Sequence, residues 1–358
     1  MVSSLKFIRV AKSFGIIFLN SHVILIVKYK LRGASAMNKN LTGLHHITAI
    51  TSSAPKMFKF MTEVMGLHLI KKTVNQDDIR TYHLYFTDDM GNPGTDITFF
   101  DFPGLIQGAK GKNEITRIGF RVPSDAALDF WQNRFDEFKV EHEEIYTEFG
   151  SKVLNFYDFD HEHYQLISDE NNSGVAGGTP YRYSPVPEEY AIVGLGAPMV
   201  SVDYPVELDH VLTEVMGFTK KETAENGLVL YELHDGGHGA QVIMETVESS
   251  VPDELQAYGN VHHVAFRTED EESLRYWIDR IQSVPLASSG FVDRFYFKSE
   301  YFRPGRGVLF EIATDGPGFL LDETYEEAGV HLELPPFLEE QRADIEANLT
   351  PFNTDKKE

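Results

Sequence analysis

An internal repeat constrains the fold of this 358-residue chain more than any other sequence feature. The segment TEVMG at residues 62–66 recurs at residues 213–217, and each copy ends a helix-like stretch at a glycine. A second, ungapped match relates residues 120–134 to residues 266–280, so the two tryptophans of the chain, Trp131 and Trp277, occupy equivalent positions. The chain is therefore expected to consist of copies of one structural module.

The apolar pattern divides the chain into four modules, each a strand, a helix and several further strands. They begin at Leu44, near Ile115, near Ala191 and near Asn260. Their short, aromatic, alternating strands and one-sided helices predict an α+β fold in which four βαβββ modules form two open, cupped β-barrels.

The predicted organisation has five parts. A basic and apolar extension that is not part of the fold covers residues 1–36, and a linker rich in Asn, Gly, Ser and Pro covers residues 171–190. The first domain, with modules one and two, covers residues 41–170, and the second, with modules three and four, covers residues 191–332. Residues 333–358 form an acidic C-terminal tail.

The extension differs in charge from the rest of the chain. It contains six Lys or Arg and no acidic residue, whereas the remainder has 32 − 6 = 26 basic and 55 acidic residues. Its apolar run at residues 14–27 is shorter than the roughly 20 residues of a transmembrane helix. Ala34-Ser35-Ala36 favours a signal peptide, whereas the basic residues just before it oppose one. Met37 lies shortly before the first strand. Three interpretations therefore stay open: the start codon is assigned too far upstream, the segment is a signal peptide, or it is a membrane anchor.

The composition excludes several kinds of site. A net charge of −23 disfavours nucleic acid or an anionic membrane as a partner of the folded body. The absence of cysteine excludes disulfides, a thiolate nucleophile and a zinc–thiolate site. Any metal must therefore be held by histidine, carboxylate or tyrosine. We expect a cytoplasmic protein, with the oligomeric state left open, a homo-oligomer included.

Two strand-like segments each carry a histidine pair, His45-His46 and His262-His263, and the apolar strand at residues 307–312 contains one acid, Glu311. Such groups are costly to bury within a strand unless something binds them. Two imidazoles and one carboxylate are the ligand set of the facial triad, which leaves open positions on a ferrous ion. Since side chains alternate along a strand, only one histidine of each pair can bind directly.

The repeat supplies an internal control for this ligand set. The positions equivalent to His46, His263 and Glu311 are Ala197, Arg117 and Gln165, which make a poor metal site. Modules one and four are therefore expected to share one metal-binding cavity, and modules two and three to form a structural partner.

These motifs resemble those of the vicinal oxygen chelate superfamily, which includes glyoxalase I, extradiol ring-cleaving dioxygenases and drug-sequestering proteins. The matching stretches are LHHIT at 44–48, YHLYF at 82–86, GNPGT at 91–95, VHH at 261–263, Asp293-Arg294 and GVLFE at 307–311. Within the superfamily the chain most resembles the hydroquinone-type ring-cleaving dioxygenases, which include the Mhq-type enzymes and 2,6-dichlorohydroquinone 1,2-dioxygenase. The resemblance spans roughly residues 41–336.

The resemblance implies the vicinal oxygen chelate fold and Fe(II), with Mn(II) or Zn(II) less favoured, bound by His46, His263 and Glu311. Substrate-handling or ligand-supporting roles are implied for five further residues: His45, Thr48, His262, Arg294 and Tyr301. The implied reaction uses O2 to cleave a hydroquinone-type (para-diol) ring next to a hydroxylated carbon, in aromatic compound degradation or quinone detoxification. The product would be a muconic semialdehyde or its acyl equivalent.

Two other functions are compatible with the same pattern. One is a glyoxalase-like lyase or isomerase using Zn, Ni or Mn, although such sites usually take a fourth protein ligand. The other is a non-catalytic protein that sequesters an aromatic compound or quinone, which would leave the His-His-Glu set unexplained.

Overall fold

The computed structural model describes residues 39–355, together with the backbone of two paired short strands, Ile17–Leu19 and His22–Ile24. The chain separates into two compact units, Met1–Asn38 and Lys39–Glu358. Most of the predicted extension at residues 1–36 therefore lies outside the described residues. In the part of the chain that is described, no helix has the length and apolarity needed to cross a bilayer.

All four predicted modules have the expected strand–helix–strands order. Module one has strands Leu44–Ile50, His68–Asn75, Asp78–Thr87 and Asp96–Phe100, with helix Ala54–Lys59 continuing as a π turn, Phe60–Val64. Module two has helix Asp125–Phe138 and strands Glu114–Val122, Glu141–His142, Tyr146–Glu148, Ser151–Tyr157 and His163–Ser168.

The second half of the chain repeats this pattern. Module three has helix Pro205–His210 with π turn Val211–Val215, and strands Gly194–Val202, Thr219–Thr223, Val229–Glu232 and Gln241–Thr246. Module four has helix Glu271–Gln282 and strands Asn260–Thr268, Ala287–Ser288, Val292–Asp293, Phe297–Arg303 and Phe310–Pro317. Single 3-10 turns lie at Glu188–Tyr190, His238–Ala240 and Phe319–Leu321.

The two repeats share one contact at the end of each shorter helix. Arg134 of module two donates hydrogen bonds to the carbonyls of Glu63 and Val64 in module one. The equivalent Arg280 does the same at the matching carbonyls of module three. Because the last carbonyls of a helix have no partner within it, these arginines satisfy groups that the glycine-terminated helices leave exposed.

The strands of residues 39–355 form two nine-stranded sheets. The one–four sheet contains modules one and four, and the two–three sheet contains modules two and three, so each sheet takes one module from each predicted domain. In the one–four sheet the two first strands are antiparallel neighbours, with His263 opposite Thr48. In the two–three sheet the equivalent pair is Arg117 opposite Met199. Both sheets are mixed and open, which confirms the predicted α+β fold of cupped sheets.

The C-terminal tail packs against the body. It forms the 3-10 segment Pro336–Gln341 and helix Arg342–Asn348. Leu338, Ile345 and Leu349 are buried in the main core. The tail therefore contributes apolar surface to the fold, despite its acidic composition.

Candidate metal centre

The histidines and the glutamate singled out in the sequence converge in the middle of the one–four sheet. Nε2 of His46 and Nε2 of His263 lie 3.0 Å apart. One oxygen of Glu311, Oε2, lies 3.1 Å from the first nitrogen and 2.9 Å from the second. All three side chains are buried. They come from three adjacent strands, because the strand of Glu311 pairs in parallel with the strand of His263.

The hydrogen bonds around His46 determine which of its nitrogens is free. Nε2 of His45 donates to the carbonyl of Thr314 at 3.0 Å, so Nδ1 of His45 is the acceptor of the pair it forms with Nδ1 of His46 at 2.9 Å. Burial, together with His46, lowers the pKa of His45 to about 3, so this ring stays neutral. His46 therefore carries its hydrogen on Nδ1 and presents a lone pair at Nε2 to the cluster.

The carboxylate is also held from behind. The hydroxyl of Ser299 donates to Oε1 of Glu311, which leaves Oε2 for the cluster. Burial opposes ionisation of Glu311, yet the neighbouring imidazoles hold its pKa well below the ordinary value. Among the described residues, Oε2 has no hydrogen-bond partner.

The donor set therefore fits a divalent metal ion. Two neutral imidazole nitrogens and one unpartnered carboxylate oxygen converge in a buried place, and each is oriented by a further hydrogen-bonding group. Among residues 39–355 this is the one group of three or more His, Asp or Glu side chains with such spacing. The ligand chemistry alone does not select the metal.

A cavity of about 310 Å³ lies beside the cluster. His46 and His263 form part of its wall, and the rest is aromatic or polar: Asn75, Gln76, Asp77, Asp78, His83, Tyr85, Phe100, Phe102, His262, Arg294, Phe297 and Tyr301. A single substituted benzene ring matches these dimensions and this lining. The residues come from modules one and four, as expected from the repeat.

A chain of hydrogen bonds runs from the cluster along the cavity wall. The hydroxyl of Thr48 lies 3.1 Å from Nε2 of His263 and 2.8 Å from the hydroxyl of Thr98. Thr98 bonds to Nε2 of His83 at 2.9 Å, and Nδ1 of His83 bonds to the hydroxyl of Tyr85 at 2.8 Å. Burial lowers the pKa of His83 well below its usual value, so the chain consists of neutral groups.

Arg294 and Tyr301 form a pair on the opposite part of the wall. Nε of Arg294 donates to the hydroxyl of Tyr301 at 3.0 Å, and the guanidinium lies 5.0 Å from the centre of the tyrosine ring. Burial and the nearby Glu311 raise the pKa of Tyr301 far above its ordinary value. Its phenol therefore stays protonated and can donate a hydrogen bond.

The structure brings all eight predicted residues to one place. His46, His262, His263, Arg294 and Tyr301 line the cavity. His45, Thr48 and Glu311 lie behind them, each within hydrogen-bonding distance or ion-pair distance of another of the eight. Their individual roles stay predictions.

Sequence reasoning gave no role to four residues of this region: His83, Tyr85, Thr98 and Ser299. His83 and Tyr85 stand two residues apart on one strand and so share a face, a signal that was available in the YHLYF segment. Ser299 offered no comparable signal, because only the pairing of its strand with that of Glu311 brings its hydroxyl to the carboxylate.

Comparison with known proteins places this geometry in a family. The model of the "Glyoxalase/Bleomycin resistance protein/Dioxygenase superfamily" matches residues 43–167. Glyoxalase I from Zea mays has a TM-score of 0.54 at 13% identity over 76% of this chain and 92% of its own, a likeness of fold alone. The chain belongs to the glyoxalase/bleomycin resistance protein/dioxygenase superfamily.

Three proteins with higher identity to this chain carry the description of dioxygenases. The chain is 42% identical to "Putative ring-cleaving dioxygenase MhqA" of Bacillus subtilis (strain 168), over 87% of this chain and 99% of the relative. It is 29% identical to "Chlorohydroquinone/hydroquinone 1,2-dioxygenase" of Sphingobium indicum, over 84% of this chain and 94% of the relative. A solved Bacillus subtilis structure described as a "putative dioxygenase" superposes with a TM-score of 0.81 at 34% identity, over 89% of this chain and 100% of its own.

Proposed function

We propose that this chain is an Fe(II)-dependent ring-cleaving dioxygenase that opens hydroquinone-type para-diols. The observation that supports it most directly is the buried convergence of His46, His263 and Glu311 on the wall of a ring-sized aromatic cavity. The names of the relatives, ring-cleaving dioxygenases and a hydroquinone 1,2-dioxygenase, support the same reaction class.

We propose Fe(II) as the bound metal, with Mn(II) or Zn(II) as alternatives. A facial set of two histidines and one carboxylate is characteristic of non-haem Fe(II) oxygenases. When bound by His46, His263 and Glu311, Fe(II) would supply the redox chemistry that lets O2 react with a diol. In the net reaction one O2 adds to the diol, so the ring-opened semialdehyde keeps every atom of the hydroquinone and gains both oxygen atoms.

The cavity walls would hold the flat ring of the substrate. Phe100, Phe297 and Tyr301 contribute aromatic surface to the cavity wall, and aromatic rings favour offset or edge contacts over direct face-to-face stacking. Arg294 supplies a positive charge in this partly dry space. We propose that it stabilises the negative charge that develops on a diol oxygen when the hydroxyl proton leaves.

We propose that His262 acts as a hydrogen-bond donor, and the hydrogen-bond pattern supports this role. A lone pair on Nε2 of His263 requires its hydrogen to be on Nδ1, and that hydrogen points to Nδ1 of His262 at 2.8 Å. His262 then carries its own hydrogen on Nε2. Burial lowers the pKa of His262 to about 3, so it stays neutral and can donate to an oxygen of the substrate or of O2.

His45 is placed to orient rather than to react. Both of its nitrogens are engaged, one by the carbonyl of Thr314 and one by His46. Thr48 is better placed for contact with reacting groups, since its hydroxyl lies beside Nε2 of His263. We propose that the hydroxyl of Thr48 accepts a hydrogen bond from the diol and donates its own hydrogen bond to the hydroxyl of Thr98.

The test is O2 consumption by protein purified without oxygen and loaded with Fe(II). Hydroquinone and methylhydroquinone should each consume one O2 per ring opened, whereas catechol should consume none. Isomerase activity on a thiol adduct without O2 uptake would favour the glyoxalase-like lyase. Tight binding of diols without turnover would favour the sequestering protein.

A matched pair of glutamates provides the control. Glu311→Gln removes the proposed ligand charge, whereas Glu300→Gln changes an equally buried glutamate on the neighbouring strand that accepts from Ser288 instead. Only the first variant should lose bound iron and O2 uptake. Equal iron binding by the two variants would contradict the proposed site.

A further inference from the structure

A short turn of module one reaches across to module four at the cavity. The turn between strands His68–Asn75 and Asp78–Thr87 contains Gln76 and Asp77. The side chain of Gln76 donates to the backbone carbonyl of Arg294 at 2.9 Å. Asp77 forms an ion pair with the guanidinium of Arg294 at 2.9 Å. The turn is thus tied to the arginine that lines the same cavity.

This contact determines the charge that an entering molecule meets. Of the described residues that line the cavity, Arg294 is the one lysine or arginine. Its Nε is taken by Tyr301 and its Nη2 by Asp77, so the two-pronged face that a carboxylate would use is already engaged. Asp77 is 72% exposed and Arg294 is 19% exposed, so the negative partner is on the solvent side.

A second acid strengthens the same effect. Asp78 also lines the cavity, although Arg80 bonds to both of its oxygens, at 3.1 and 3.3 Å. Among residues 39–355, Asp77 forms an ion pair with no cation besides Arg294. Its backbone is fixed by a bond from its amide to Oδ1 of Asn75 at 2.9 Å. Asp77 is therefore the acid whose charge is placed to act on a substrate.

We propose that Asp77 is a specificity-determining residue that excludes carboxylate-bearing para-diols and restricts the cavity to neutral hydroquinones. The inference rests on the proposed function, since it concerns the substrates of that same site. An anionic ring substituent would face like-charge repulsion from Asp77, and it would find the Nε and Nη2 donors of Arg294 already engaged. A neutral ring, substituted by hydrogen, methyl or halogen, meets neither obstacle.

The expected size of the effect is modest because Asp77 is exposed. Repulsion between partly solvated charges is reduced by water and salt, so removing it should change relative affinity by about tenfold. The same exposure makes the effect dependent on ionic strength, which a purely steric selection would not be.

The experiment measures binding of hydroquinone and 2,5-dihydroxybenzoate to the iron-loaded protein by anaerobic calorimetry, at low and high salt. Asp77→Asn removes the charge and keeps the size of the side chain. Asp293→Asn is the matched control, because it removes an equal charge next to Arg294 from an acid that pairs with Lys298 and lies outside the cavity wall.

Wild type should bind hydroquinone and discriminate against the dihydroxybenzoate, less so at high salt. Asp77→Asn should narrow that discrimination about tenfold and weaken its salt dependence, whereas Asp293→Asn should leave both unchanged. Equal binding of both diols by wild type, or equal shifts in the two variants, would overturn the role of Asp77. Failure of wild type to bind or oxidise hydroquinone at all would overturn the proposed function instead.

Discussion

The one–four sheet and the two–three sheet share a backbone register but differ in what that register presents. His263 stands opposite Thr48 in the first, and Arg117 stands opposite Met199 at the equivalent place in the second. Glu311 pairs with Ala265, as Gln165 pairs with Gly119. The repeat thus reproduces the scaffold, whereas the residue types at a few positions decide the chemistry.

The two–three sheet has also filled the place that the cavity occupies in its partner. Its cluster of buried apolar residues includes Val153, Ile167, Ala197, Met199, Leu228, Leu230 and Ile243. Arg117 is neutralised there by Glu148 at 2.5 Å, and Gln165 bonds to Tyr146 and Asn155. Two equivalent positions of the same fold can therefore differ in use: one holds a candidate metal site, and the other is filled by packed apolar side chains.

The largest expected effect is a loss of bound metal when a ligand of the one–four sheet is removed. His263→Ala should reduce bound iron to less than about a tenth of an atom per chain, and O2 uptake by more than about 100-fold, because changes that only support ligands already cost 10–100-fold. Metal analysis and oxygen electrode rates are the measurements. Retention of iron and rate would remove His263 from the site.

The matching change in the two–three sheet should affect stability instead. Arg117→Ala leaves the largely buried Glu148 without its partner, at a cost of up to about 3 kcal/mol of unfolding free energy. Urea unfolding measures the loss, and iron content should not change. The double variant Arg117→Met, Glu148→Leu should recover most of the stability, since it leaves no unpaired charge. Loss of iron in either variant would contradict the conclusion that the two–three sheet takes no part in metal binding.

A smaller effect is expected where a hydroxyl supports the carboxylate. Ser299→Ala removes the donor to Oε1 of Glu311 and should weaken iron affinity about tenfold. The position equivalent to Ser299 in the two–three sheet is Val153, in keeping with the absence of a ligand there. Ser288→Ala is the control, because its hydroxyl supports Glu300 instead. A competition assay with a chelator measures the iron affinity of both variants, and the affinity of Ser288→Ala should equal that of the wild type.

The effect of pH is the smallest per unit of change, and it is expected in both sheets. Burial lowers the pKa of His262 to about 3 in one sheet and of His163 to about 4 in the other. Both values lie below the unfolded value near 6.5, so the unfolded chain takes up protons first as the pH falls. The metal-free protein should therefore lose stability below about pH 6.5, by about 1 kcal/mol per pH unit for each histidine.

Single variants show how much each sheet contributes to this dependence of the unfolding free energy on pH. His163→Gln should remove its share down to about pH 4, and His262→Gln should remove its share down to about pH 3. Urea unfolding at several pH values provides the comparison. A slope that neither variant changes would mean that other groups control the acid sensitivity.

Much of the candidate site was readable from residue types and spacing. The histidine pairs and Glu311 stand out because ionisable groups in the middle of apolar strands are costly without a partner. The repeat then assigned them to modules one and four, and the sheet order confirms that these modules pair. Alternation along a strand also explained why only one histidine of each pair is a candidate ligand.

Contacts between strands distant in sequence could not be read in this way. Asp77 and Arg294 are 217 residues apart, and their ion pair depends on how far one turn reaches across the sheet. The pairing of Ser299 with Glu311 depends on a register that contains an irregularity between Phe297 and Ser299. Such shifts reverse the face that a side chain occupies, so pattern alone cannot place them.

The sequence by itself determined the modular scaffold, the set of metal-binding side chains and the half of the repeat that lacks them, because these depend on periodicity and on the cost of burying polar groups. Only the tertiary structure decided the tautomer of His46, the orphaned oxygen of Glu311 and the charge at the cavity. These depend on distances of a few ångströms between strands, and strand curvature and bulges, not residue order, fix such distances.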